Sequence, residues 1–234
     1  MKKKDIINEK IELKKIFKLT LPNSKVRTEK DRPSNFEKKL ELHKLNTAND
    51  IIEFLREYSH LSNYKDILDF VARRVYQYKT SFFSERVLGE FDYVESIKDK
   101  IAPEDLIIAG KKFDIKLTVV PKKNRFLIED DLEKFRNINS ANYSAIRQVI
   151  AKTLIEGATN QDYEEGKIFI VIYSKDENHR KELYARANTL TLYKKIREEL
   201  NDYEKFKSKL FYVDEILEDK KYSIPCLMIP LIIK

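Results

Sequence analysis

One cysteine, no tryptophan and only four glycines occur in 234 residues. The single thiol, Cys226, excludes an internal disulfide and a cysteine-built zinc site, which fits a reducing cytoplasm. The three histidines, His43, His60 and His179, are far apart and form no His-x-x-x-His pair, so a histidine zinc site is disfavoured. There is no Gly-rich phosphate loop, no Gly-x-Ser-x-Gly elbow and no Cys/His nucleophile pattern. ATP-driven motors and acyl transfer are thereby set aside. The longest apolar stretch, IPCLMIPLII at Ile224–Ile233, is too short to span a bilayer and is interrupted by Pro225 and Pro230. It predicts a buried edge strand. The opening MKKKDIINEKIELKK has charge but not the apolar run of a secretory signal, so a cytoplasmic protein without membrane contact is expected.

Hydrophobic residues make up 42% of the chain, enough to bury a core. The net charge is +7, and residues 1–44 carry all of it, with 14 Lys/Arg against 7 Asp/Glu. The other 190 residues sum to zero. A basic segment on a neutral body suits a polyanion, although a solvated tail has the same composition. The expected organisation is an N-terminal arm over 1–44 and a single domain over 45–234.

Residues 5–18 show helical spacing at Ile7, Ile11 and Ile16. Helices are predicted at 47–58, capped by Thr47 or Asn46, and at 63–79, where Ile67, Leu68, Val71 and Val75 face the core. Others are expected from Ser84 to about Lys100, near 129–137, at 141–156 with Gly157 closing it, and as one long helix over 176–201. KIFIVIY, Lys167–Tyr173, is a β-branched apolar run, the mark of a strand covered on both faces. With KLFYVD and the C-terminal run, the order describes an α/β fold with a mixed sheet flanked by helices.

PEDLIIAGKKFDIKLTVVPK, Pro103–Lys122, reads as a hairpin. Phe113, Ile115, Leu117 and Val119 share one face of its second strand; Asp114, Lys116 and Thr118 share the other. Asp114 and Lys116 then stand about 6–7 Å apart along the strand. A two-residue Gly110-Lys111 turn sets Asp105 opposite Lys116, whereas a three-residue loop brings Glu104 there. Paired carboxylates repel unless a cation joins them, and such hard oxygen ligands suit Mg²⁺. A lysine beside them can orient or deprotonate a water, as metal-assisted phosphodiester hydrolysis requires.

These residues, P-(E/D) followed by D-I-K, resemble the PD-(D/E)xK motif of the restriction-endonuclease-like nuclease superfamily. The likeness covers about residues 83–174. It implies a restriction-endonuclease-like core with a helical N-terminal extension, and Mg²⁺ held by Asp105 and Asp114, with Lys116 assisting the water. Glu104 intervenes between Pro103 and Asp105, so the first ligand is Asp105 or Glu104. A glutamate on the preceding helix, Glu90 or the earlier Glu85, takes the family's further acidic role. The activity implied is Mg²⁺-dependent cleavage of double-stranded DNA by a type II restriction endonuclease. A homodimer and a companion DNA methyltransferase acting on the same site go with it.

Candidate DNA contacts are Lys122, Lys123 and Arg125 in PKKNR, Asn142 and Arg147 in SANYSAIRQVIAK, and Arg180 in ENHRKELYARANTLTLYKKIR. Two other readings stand beside the restriction enzyme. One is a repair or anti-phage nuclease of the same fold. The other is a non-catalytic basic DNA-binding protein in which Asp114 and Lys116 form only a surface ion pair.

Overall fold

Ile6, Leu13, Ile16 and Phe17 lie on one helical stripe, and in the computed structural model they are the buried side of helix α1, Lys3–Lys18. The structure describes residues 1–21, 36–96, 106–157, 164–174, 179–217 and 219–233. Ile7 and Ile11, expected to mark the buried stripe, are instead 41% and 49% exposed. The chain divides into two compact units, Met1–Phe83 with Arg186–Leu190, and Ser84–Ala185 with Thr191–Lys234. The boundary expected at 44/45 falls inside the first of them, and α1 contributes to that unit's core.

In the first unit α1 is followed by α2, Phe36–Lys39, and α3, Ala48–Phe54. Thr47 caps α3 reciprocally with Asp50, so a local sequence signal sets where that helix starts. The next helix, α4, covers Tyr64–Leu88 and contains the boundary between the units. Its buried Asp69 accepts from the Leu21 amide at 2.5 Å and from Arg73 Nε at 2.9 Å. A helix from Ser84 to Lys100 is not what forms. Gly89 closes α4, its amide bonding the Glu85 carbonyl at 2.8 Å, and strand β1 takes Val94–Ser96.

The second unit is a mixed six-stranded sheet, ordered β1-β2-β3-β4-β6-β5, with helices on its faces. β2 is Leu106–Ile108, β3 Lys111–Val119, β4 Gly166–Ser174, β5 Phe211–Leu217 and β6 Lys220–Ile233. β1, β2 and β3 form an antiparallel meander; β3, β4 and β6 run parallel, and β5 closes antiparallel on β6. Between β3 and β4 the chain crosses over through α5, Leu132–Arg136, and α6, Ser144–Glu156. Ile150, Ala151 and Ile155 of α6 and Phe135 of α5 pack on Phe169, Val171, Tyr173, Cys226 and Met228. All nine residues of β4 are buried, as its unbroken apolar run predicts.

The hairpin forms with a different turn. Ala109 and Gly110 are the loop residues, with φ of 52° and 75°, and Lys111 pairs with Ile108. A mirror-type two-residue turn needs positive φ at both positions, and glycine takes the second here. The register is therefore two residues away from the one that sets Asp105 opposite Lys116.

The long helix expected over 176–201 is two, α7 at His179–Ala185 and α8 at Thr189–Glu199. No glycine or proline marks the break; the buried Thr189 hydroxyl donates to the Ile6 carbonyl at 2.8 Å, a contact made by tertiary folding. A further helix, α9, spans Tyr203–Lys209. The C-terminal run is not an edge strand but lies between β4 and β5. Its prolines are tolerated because each has one open side: Pro225 precedes the first β4 pair at Cys226, and Pro230 follows the last β5 pair.

Phe113 and Gly166 pair across β3 and β4, next to Asp114 and Lys167. A Cβ on Gly166 would stand 2.4 Å from a carbon of the Phe113 ring, which is itself wedged edge-on to Phe206 of α9 at 5.6 Å. Gly166→Ala is expected to cost about 1–3 kcal/mol in urea denaturation. The cost should shrink in a Phe113→Leu background, and equal losses in both backgrounds would show that the ring is not what excludes the methyl group.

Candidate active site on strand β3

Strand alternation places Phe113, Ile115 and Leu117 in the core and turns Asp114, Lys116 and Thr118 to the other face. On that face Lys116 Nζ lies 2.9 Å from Asp114 Oδ2. The parallel register adds a residue that the hairpin alone does not reveal. Lys167 is the β4 partner of Asp114, and its Nζ lies 3.4 Å from the same Oδ2 and 3.7 Å from Glu165 Oε2.

The two lysines differ in exposure. The Lys116 side chain is 50% exposed and that of Lys167 only 7%. An ammonium so buried needs carboxylate partners to offset its lost hydration, and Asp114 and Glu165 supply them. Lys116 pays no such cost and is free to leave Asp114 for another anion. Cys226 is the β6 partner of Lys167. Burial pushes its thiol up to about 12 against the opposing pull of the lysine, so it is no nucleophile.

Asp114 has the chemistry of a Mg²⁺ ligand, a hard carboxylate oxygen on a partly exposed strand. Glu104 and Asp105, the other expected ligands, lie outside the described residues. Among the described residues no three His, Cys, Asp or Glu side chains cluster to hold a metal ion. Glu90 pairs with Arg197 at 3.3 Å. Glu85 is buried in α4.

The expected DNA contacts separate. Lys122 and Lys123 are exposed on a 3-10 turn after β3, with Lys123 3.6 Å from Glu156. Arg125 is buried, so it is not available to a phosphate: it bonds Glu182, donates to the Ser174 carbonyl at 3.0 Å and lies over the Tyr173 ring. Asn142 is exposed. Arg147 donates to the Asn139 carbonyl at 3.2 Å and stacks 4.3 Å from the Phe211 ring, and burial holds its pKa below the ordinary value. Arg180 lies in α7, with its side chain outside what is described. Among the described residues no helix is long and apolar enough to cross a membrane.

Comparison with protein-family models, with curated proteins and with solved structures finds no match for the chain.

Asp114→Ala strips Lys167 of one of its two carboxylates and is expected to lower stability by about 1–3 kcal/mol. Lys116→Ala should cost less than about 1 kcal/mol. Adding Lys167→Met to Asp114→Ala should recover part of the loss. Strictly additive costs in denaturant titrations would rule out the coupling.

Proposed function

We propose that the protein is a Mg²⁺-dependent endonuclease of double-stranded DNA, with the sequence specificity of a type II restriction enzyme. The observation that carries this reading is the half-exposed Lys116 ammonium, 2.9 Å from Asp114 on the second strand of a tight hairpin. The helical crossover from β3 to the parallel strand β4 agrees with the order of elements that the PD-(D/E)xK resemblance implies.

In this reading Asp114, together with Asp105 or Glu104, holds the cation, and Lys116 turns from Asp114 to orient or deprotonate the attacking water. Lys167 stays behind to keep Asp114 neutralised and in place. Bound Mg²⁺ would supply a lowered pKa for that water and neutralise charge building on the scissile phosphate. A palindromic target would engage two copies related by a twofold axis, and a companion methyltransferase would protect host sites. One observation favours the non-catalytic alternative: Asp114 already carries two ammonium partners, as a structural ion pair does.

Plasmid and phage DNA incubated with the protein and Mg²⁺ should yield discrete fragments. Cleavage should fall at least about 100-fold in Lys116→Ala, the variant expected to leave folding intact, and in Asp114→Ala. Random degradation would replace the restriction enzyme by a repair or anti-phage nuclease. Binding with no cleavage by the unaltered protein would overturn the enzyme reading.

A further inference from the structure

Six of the sixteen residues of α1 are lysines, and they share one half of the helix. Projected at 3.6 residues per turn, Lys3, Lys4, Lys10, Lys14, Lys15 and Lys18 fall on the same side as Ile7 and Ile11. Asp5, Glu9 and Glu12 fall on the other side. Glu9 is engaged by Lys79 at 3.2 Å, and Glu12 accepts from the Ala48 amide at 2.9 Å and from Lys15 at 3.1 Å. Lys3, Lys4, Lys15 and Lys18 are exposed. The outer half of a helix about 24 Å long thus has no acidic residue on it.

We propose that this face of α1 is a docking surface for the phosphate backbone of duplex DNA. Three kinds of partner present themselves to a basic helix face, and two fit poorly. Protein interfaces are depleted in lysine, and here lysine is the dominant residue. A helix that lies in a membrane surface inserts an apolar side rich in Trp, Phe or Leu. The apolar side of α1, with Ile6, Leu13, Ile16 and Phe17, is already buried. Ile7 and Ile11 are too few to replace it. A helix half whose charged residues are all lysines, Lys15 reaching across its border to Glu12, matches the regularly spaced charge of a duplex, which gains affinity by releasing counterions. The surface reads no bases; it supplies sequence-independent attraction, and it would serve a nuclease and a non-catalytic binder alike.

The test is DNA binding without divalent cation, by fluorescence anisotropy across a salt series. It compares the full chain with a variant carrying Lys3→Gln, Lys4→Gln, Lys15→Gln and Lys18→Gln. Glutamine preserves helix propensity, and thermal denaturation checks that the fold is kept. A control carries Lys44→Gln, Lys65→Gln, Lys207→Gln and Lys221→Gln, four exposed lysines elsewhere. The α1 variant should lose at least about tenfold in affinity, and its slope of log affinity against log salt should shrink by about 2–3, while the control keeps most of both. Equal losses in the two variants would mean that net charge alone attracts DNA, and would overturn the proposal, as would no loss in either. Lysine-dependent binding to phosphatidylserine vesicles with unchanged DNA affinity would overturn it in favour of a membrane surface. None of these outcomes involves strand cleavage, so an inactive protein would defeat the nuclease reading and leave this one standing.

Discussion

The parallel pairing of β3 with β4 is the constraint on which the candidate site depends. Its register is held where the Phe113 ring covers Gly166, a place with no room for another side chain. A slip of one residue would turn Lys167 to the opposite face of the sheet and leave Asp114 beside an isoleucine or a glycine. A steric fit between one aromatic ring and one absent side chain therefore decides which charges meet, although neither residue carries chemistry.

Charge is divided between the inside and the outside of this unit in a consistent way. Lys167 and Arg125 are buried and each is matched by acids, Asp114 and Glu165 for the first and Glu182 for the second. Buried ions left without such partners would cost several kcal/mol each, so these cations serve the architecture. Lys116, Lys122 and Lys123 remain outside, where hydration makes them inexpensive to move. Asp114 stands at the border, with one buried ammonium behind it and one half-exposed ammonium in front. The half-exposed one can be withdrawn without stranding the carboxylate.

Much of this was legible in local pattern. The alternation of β3, the apolar run of β4, the Thr47 cap and the helix ending at Gly157 all follow from short-range periodicity and end signals, and they form as expected. The features that escaped depend on distant partners. Lys167 reads as the charged leader of an apolar strand until β3 is laid beside it. Arg125 sits in a basic loop sequence, and only the approach of Glu182 shows that it points inward. The break before Thr189 has no breaker residue, and α1 offers two apolar stripes of which packing selects Ile6/Leu13/Ile16/Phe17. The turn was misplaced by one residue because Ala109, not Lys111, accepts the positive φ beside Gly110. Glu104 and Asp105, expected as further metal ligands, stand outside the described residues.

The way the sheet ends on its β5 side bears on assembly. Gln148 of α6 donates to the Tyr212 carbonyl of β5 at 2.8 Å, and Asn139 donates to the Met228 carbonyl in the half of β6 that β5 does not reach, also at 2.8 Å. Two residues after Met228, on the same side of the strand, Pro230 has no hydrogen to offer. A foreign strand arriving at these positions finds two acceptors already filled and one donor missing. Strand addition is hindered at these three positions of the β5 side, where the backbone offers a newcomer little to pair with.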